Sequence, residues 1–120
     1  MGEMKLGVVE AQFADIIWEN EPLPSGELVK LCAEELEWKK STTYTVLKKL
    51  CERGIFQNVD GVVSSVLSKQ EFAAAQSGEF VEESFGGSLP AFIAAFASSK
   101  KLSADEIKEI RKMMDSLEEE

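Results

Sequence analysis

The feature that most restricts the fold of this chain is a change of hydrophobic period at Gly54. Before Gly54, apolar residues recur at helical spacing, whereas segments 55–59 and 62–67 are rich in β-branched and apolar residues. Asp60-Gly61 separates these two segments, and such a pair supplies the positive φ angles that a tight hairpin turn requires. The sequence therefore predicts a β-hairpin directly after a helical region.

Three helices are predicted before this hairpin. The first runs from about residue 8 to 18 and ends before Pro22 and Pro24, and its apolar stripe is Val9, Phe13, Ile16 and Ile17. Ser25 is placed to cap the second helix, whose stripe is Leu28, Val29, Cys32 and Leu36. The third runs from about 41 to 52, where Gly54 is placed to stop it. This order predicts a winged helix-turn-helix domain, which we assign to residues 1–68.

The remaining residues, 69–120, are predicted to form a separate helical region. Helical periodicity is weakest from 69 to 78, which places the domain boundary there. One helix is expected to begin near Ser88, and the last begins at Ser103, where Glu106 completes a capping box. The apolar positions of this region form a seam at helical spacing: Phe85, Leu89, Phe92, Phe96, Ile107, Ile110, Met114 and Leu117.

This seam predicts a homodimer. Short helices in about fifty residues cannot bury such a seam alone. The seam could pack back on the N-terminal domain, but a two-fold partner covers it more simply. The predicted fold class is therefore mainly α with a small β-hairpin wing, in which an N-terminal winged helix-turn-helix domain precedes a helical dimerisation region.

Basic residues are concentrated in the third helix and the turn before it. The chain has 13 Lys and Arg against 22 Asp and Glu, a formal charge of −9, yet residues 38–54 carry five basic side chains and one acidic side chain. Such a segment can attract phosphates while the acidic remainder limits non-specific binding. Charge alone favours an ordinary solvated helix face over a phosphate-binding one.

The residue pattern of the third helix favours DNA over that alternative. Its apolar face should pack on the first two helices and consists of Thr43, Val46, Leu47 and Leu50. Threonines on the opposite face can contact base edges or a thymine methyl group, and lysines suit phosphates. The predicted DNA contacts are Lys39, Lys40, Ser41, Thr42, Tyr44, Thr45, Lys48 and Lys49.

Composition argues against an enzyme, a metal site and a cofactor. The chain has no histidine, and no carboxylate pair or phosphate-binding glycine loop is apparent. Cys32 and Cys51 suit small core residues in a reduced cytoplasm. The longest apolar run, 89–97, is too short to cross a membrane, and the first ten residues lack the pattern of a secretory signal. We therefore expect a cytoplasmic protein without a membrane partner.

The order and spacing of several motifs resemble the penicillinase-repressor family over essentially the whole chain. These motifs are Ile16-Ile17-Trp18-Glu19 with Pro22-Leu23 and Glu27-Leu28; Trp38 with Thr42, Thr45 and Leu50; Gly54; and Gly87-Ser88-Leu89 leading through Phe96 to Leu102-Ser103 and Glu106. The resemblance implies a dimeric bacterial repressor with its third helix in the major groove of a palindromic operator. It also implies that the C-terminal helices make the dimer.

The chain departs from the family's pattern in the third helix and in the wing. Lys39-Lys40 stand where the family usually has a serine-proline pair, and Tyr44 stands where arginine or glutamine is frequent. The wing, residues 58–64, lacks the basic and tyrosine residues common in relatives, so affinity would rest on the helix alone or the operator would differ. An alternative function is a winged-helix module that binds a protein instead of DNA.

Neither induction route of the family is fully matched. One route is cleavage by a membrane sensor protease at an asparagine–phenylalanine bond. The aligned pair here is Ala95-Phe96, which leaves a sensor protease as a candidate partner without its usual cleavage pair. The other route is copper binding by Cys-x-Cys pairs near the C-terminus, and residues 113–120 contain no cysteine. The sequence therefore predicts neither the inducing signal nor the operator.

Overall fold

A computed structural model describes residues 4–119 of the 120-residue chain. Residues 1–3 and 120, which the two assigned domains include, lie outside the described residues. Internal contacts divide the chain into two compact units, Met1–Glu79 and Phe80–Glu120, which are described separately here as unit 1 and unit 2.

The described residues form six helices and three short strands. In unit 1 these are α1 (Val8–Asn20), β1 (Leu23–Pro24), α2 (Ser25–Leu36), α3 (Lys40–Glu52), β2 (Phe56–Val59), β3 (Val62–Ser65) and most of α4 (Lys69–Phe85). Unit 2 contains the end of α4, then α5 (Leu89–Ser99) and α6 (Ala104–Glu118). The predicted fold class, mainly α with a small β-hairpin, is confirmed.

The hairpin has the predicted turn, and a third strand joins it. Asp60 and Gly61 have φ angles of 53° and 80°, and Val59 pairs with Val62 across the turn. The antiparallel sheet has the order β1-β3-β2. Strand β1 has no signal in the sequence because two residues, one of them proline, carry no period-two pattern. Proline is tolerated there because β1 lies at the edge of the sheet.

Ser25 does not cap α2, so this prediction is wrong. Helix α2 includes Ser25 itself, its N-cap is Pro24, and no side chain caps it. The Ser25 amide instead donates to the carbonyl oxygen of Gly61 at 2.8 Å, and its hydroxyl oxygen accepts a hydrogen bond from the Tyr44 hydroxyl at 3.0 Å. The Ser25 amide and hydroxyl are therefore both hydrogen-bonded to residues distant in the chain, and the hydroxyl does not cap α2.

The core of unit 1 joins α1, α2, α3 and the sheet. Its fully buried side chains include Phe13, Ile17, Leu28 and Leu50, as the helical stripes predicted. Trp18 links three elements at its edge, since its ring centroid lies 5.3 Å from that of Phe56 in β2 and 5.6 Å from that of Phe72 in α4. Its indole N–H also donates to the carbonyl oxygen of Leu67 at 3.0 Å.

Residues 69–78, where helical periodicity is weakest, nevertheless belong to helix α4. The signal is weak because Phe72 is the one buried residue that α4 shows, so the helix has no continuous apolar stripe. The division between the units falls between Glu79 and Phe80, inside α4, whereas the sequence-based boundary lies at its start.

In unit 2 the predicted helix starts are confirmed. Ser88 caps α5 by accepting a hydrogen bond from the Ala91 amide. Ser103 and Glu106 form the reciprocal capping box of α6, and these hydrogen bonds hold the pKa of the Glu106 carboxyl below its usual value. Neither helix has a buried residue.

Helix α3 ends at Glu52, and Gly54, two residues further on, stops it as predicted with a φ of +80°. We expect Gly54→Ala to destabilise the protein by about 1 kcal/mol, because a Cβ is unfavourable in the left-handed region although space is open around it. Gly26→Ala, inside α2 and also in open space, should instead stabilise by about 0.5 kcal/mol. Urea unfolding measures the change in the free energy of unfolding for both variants. Changes of the same sign would show that the left-handed conformation of Gly54 does not determine the effect.

Candidate nucleic-acid interface

Helices α2 and α3 form a helix-turn-helix with a tight connection. Glu37 occupies the left-handed region at φ 57°, and the Trp38 amide donates to the carbonyl oxygen of Cys32 at 3.2 Å. The Trp38 ring then stacks on Phe13 of α1, with centroids 5.3 Å apart and an interplanar angle of 28°. The turn between the two helices is thus held by a hydrogen bond to α2 and by a ring contact to α1.

The inward face of α3 is the predicted one. Thr43, Leu47 and Leu50 are buried and Val46 is half-buried. Because the helix repeats every 3.6 residues, this burial directs residues on the opposite side to solvent. Ser41, Thr45 and Lys48 share that exposed side at i, i+4 and i+7.

The exposed side of α3 presents hydroxyl, methyl and ammonium groups. The Thr45 hydroxyl donates to the carbonyl oxygen of Ser41 at 2.9 Å, so its oxygen keeps the capacity to accept a hydrogen bond, and the residue is exposed. Thr42 is exposed beside it, as are Lys39 and Lys40 at the start of the helix. Lys48 makes no ion pair within residues 4–119. This surface can accept and donate hydrogen bonds and can attract phosphates.

Tyr44 lies at the side of this surface. It is half-buried, and its hydroxyl donates to Ser25 Oγ at 3.0 Å. Since the Ser25 amide also donates to Gly61 at the wing turn, Tyr44 belongs to a chain of contacts that joins α3, α2 and the hairpin. The sequence placed Tyr44 on the exposed face from helical spacing alone, which could not show this partner.

Lys49 is exposed but paired. Its ammonium group lies 2.8 Å from Oε2 of Glu10 in α1, and Arg53 Nη1 lies 4.0 Å from Oε1 of the same carboxylate. The Lys49 hydrogen bond, followed by that from the Gly7 amide, lowers the pKa of the Glu10 carboxyl. Glu10 could not be identified from the sequence, because 39 positions separate it from Lys49 and no local pattern connects them.

The wing is apolar and acidic at its tip. Val59 and Val62, paired next to the turn, are 56 % and 43 % exposed, and Asp60 occupies the turn itself. Gln57 donates to Ser64 Oγ across the hairpin at 3.1 Å. The described hairpin therefore offers no cation to a phosphate.

The predicted dimerisation residues lie on the exposed helices of unit 2 and on an aromatic cluster. Phe85 and Phe92 are half-buried against each other, with ring centroids 5.6 Å apart, and Phe96 lies 6.2 Å from Phe92. The other seam residues are exposed: Leu89, Ile107, Ile110, Met114 and Leu117. The Ala95-Phe96 pair lies inside α5, and both residues are exposed.

The cysteines lie in the core of unit 1 or at its edge. Cys32 is buried and Cys51 is half-buried, and burial raises the pKa of both thiols. Among residues 4–119, no three His, Cys, Asp or Glu side chains are grouped to hold a metal ion. In the same residues, no helix is long and apolar enough to cross a membrane.

A helix-turn-helix followed by an antiparallel hairpin places unit 1 in the winged-helix class. The family model described as penicillinase repressor matches residues 6–116. The chain therefore belongs to the penicillinase repressor family, which is a family of transcriptional repressors.

Two relatives show how far the sequence has diverged. The chain is 21 % identical over 110 residues to the penicillinase repressor of Bacillus licheniformis, which covers 88 % of this chain and 86 % of the relative. It is 21 % identical over 114 residues to the methicillin resistance regulatory protein MecI of Staphylococcus aureus, covering 92 % and 93 %. The similarity thus extends over nearly the full length of all three proteins.

We expect Tyr44→Phe to destabilise unit 1 by about 1 kcal/mol, because Ser25 Oγ loses its hydrogen bond. Ser25→Ala should cost a similar amount, and the double variant should cost less than the sum of the two. Urea unfolding of the four proteins measures the coupling. Additive effects would show that the contact between Tyr44 and Ser25 contributes nothing to stability.

Proposed function

We propose that this protein represses transcription as a homodimer that binds a palindromic DNA operator, with α3 in the major groove. The observation that carries the proposal is the exposed side of α3, where Ser41, Thr45 and Lys48 face solvent while the opposite side is buried. A helix with this arrangement can enter the major groove without disturbing the core. A cytoplasmic location follows from this role.

The exposed residues would divide between two kinds of contact. Thr42 and Thr45 would meet base edges or thymine methyl groups and so read sequence. Lys39, Lys40, Ser41, Lys48 and Lys49 would contact phosphates and set the register. Tyr44 would support α3 from its side, through Ser25. Because the wing carries no basic group, α3 would supply most of the affinity.

The exposed seam of unit 2 supports the homodimer. The eight apolar seam residues, at the end of α4 and on α5 and α6, are half-buried or exposed. Leaving so much apolar surface in contact with water is unfavourable for a monomer. The steps of three and four residues along α6 suit a partner helix of the same kind. A dimer would place two copies of α3 on two half-sites, which matches a palindromic operator.

A second candidate function is a winged-helix module that binds a protein. The exposed valines of the wing, Val59 and Val62, favour it because they suit an apolar partner better than a phosphate backbone. Salt titration separates the two functions, since phosphate contacts impose a steep salt dependence and an apolar protein interface does not.

Selection of bound duplexes from a random pool should yield a palindromic sequence, and substitutions in α3 should then act in two ways. Lys48→Ala with Lys49→Ala should weaken binding similarly on all sequences and flatten the salt dependence. Thr42→Ala or Thr45→Ala should instead relax preference at particular base pairs, by about 1–3 kcal/mol at most. Lys108→Ala with Lys112→Ala, which removes two lysines from α6, is the matched control for the double lysine variant. Equal loss on every sequence from the threonine variants would contradict their role.

Charge placed in the seam should separate the copies. Ile110→Glu with Met114→Glu should convert the dimer to monomers, because each carboxylate would be buried against an apolar partner face. Ser116→Glu, on the opposite side of α6, adds the same kind of charge outside the seam and should leave the dimer intact. Sedimentation velocity measures the outcome, and dimers of the doubly substituted protein would refute this seam as the interface.

A further inference from the structure

The Glu10 carboxylate is held between the N-terminal turn of α1 and the basic end of α3. Its Oε1 accepts a hydrogen bond from the Gly7 amide at 3.1 Å, and its Oε2 accepts one from Lys49 Nζ at 2.8 Å. Arg53 Nη1 is 4.0 Å from Oε1, and Arg53 is itself anchored by donating to the carbonyl oxygen of Lys5 at 3.0 Å. The carboxylate is therefore fixed in place by its own helix and faces two cations.

This arrangement makes the two neighbouring lysines of α3 unequal. Lys48 makes no ion pair in the described part of the chain, whereas Lys49 is bound to a carboxylate whose side chain is only 21 % exposed. The Glu10 carboxylate is charged at neutral pH, and its hydrogen bonds to Lys49 and Gly7 lower its pKa further. Nothing in the sequence pattern of α3 distinguishes these two lysines as phosphate contacts.

We propose that Glu10 competes with DNA phosphate for Lys49 and thereby limits how tightly α3 binds DNA of any sequence. This inference rests on the proposed function, since it names a residue that tunes the same interface. A phosphate that approaches Lys49 must share or displace the Glu10 carboxylate, so part of its attraction is offset. Counterion release, which drives sequence-independent affinity, is reduced accordingly.

The competition would lower the sequence-independent part of binding, which specific and non-specific complexes share, and so would leave base contacts a larger share of the total affinity. Non-specific affinity comes almost entirely from phosphate contacts, whereas contacts to bases are unaffected by a masked lysine. With Lys49 partly neutralised and no cation in the wing, base contacts by α3 make up a larger share of the total. Glu10 is thus a positioning residue on α1 that acts through Lys49.

The test is Glu10→Gln, which removes the charge but keeps an amide oxygen for the Gly7 hydrogen bond. Affinity for a random-sequence duplex should rise about two- to fivefold near 0.1 M salt, the range expected for an exposed ion pair. The slope of log affinity against log salt should steepen by up to about 0.9, the value of one phosphate contact. Fluorescence anisotropy at several salt concentrations measures both quantities.

Asp15→Asn is the matched control. Asp15 also lies on α1 and pairs with a lysine, Lys69, at 2.9 Å, so its substitution changes net charge equally without releasing a cation of α3. Its effect should be small. In a Lys49→Ala background, Glu10→Gln should do no more than Asp15→Asn does.

The outcomes separate this inference from the proposed function. If the unsubstituted 120-residue chain binds no duplex with a salt dependence, the proposed function fails and the role of Glu10 fails with it. Three results would overturn only the role of Glu10, provided that the wild type binds with a steep salt dependence. In the first, Glu10→Gln changes affinity and salt slope no more than Asp15→Asn does. In the second, its effect remains in the Lys49→Ala background, and in the third it weakens binding. If Glu10→Gln does not fold, Lys49→Ala and Lys48→Ala provide the test. Because Lys49 is already paired with Glu10, Lys49→Ala should flatten the slope of log affinity against log salt less than Lys48→Ala does. Equal flattening overturns the inference.

Discussion

The burial of one side of α3 is the constraint on which the rest of unit 1 depends. Thr43, Leu47 and Leu50 fill the space between α1, α2 and the sheet, so the rotation of α3 about its axis is set by the core. Once that rotation is set, the helical repeat directs Ser41, Thr45 and Lys48 to solvent. The exposed surface is therefore a consequence of packing on the other side of the same helix.

Electrostatics then decides how that surface can act. The chain has a formal charge of −9, and its basic residues are concentrated around α3. Even there a carboxylate from α1 offsets part of the positive charge, and the hairpin next to α3 ends in Asp60. Such a surface attracts phosphates weakly and locally, which suits recognition that depends on the side chains of one helix.

Unit 2 has a different physical character. Its aromatic side chains contact one another, but α5 and α6 bury no residue, so much apolar area stays in contact with water. The family model matches residues 6–116 although the two relatives are only 21 % identical, and Lys39, Lys40, Val59 and Val62, where the sequence departs from the pattern expected of the family, lie on exposed surfaces. Core packing tolerates few residue types, whereas exposed positions are free to change with the target.

The sequence by itself determined the features that depend on neighbours in the chain. Helical stripes, the Asp60-Gly61 turn, the left-handed Gly54 and the capping box at Ser103 all follow from interactions within a few residues. Only the tertiary structure decided β1, the partners of Ser25 and Tyr44, the helical state of residues 69–78 and the pairing of Lys49 with Glu10. These features depend on groups brought together by the core from distant parts of the chain, and such contacts leave no periodic trace in the sequence.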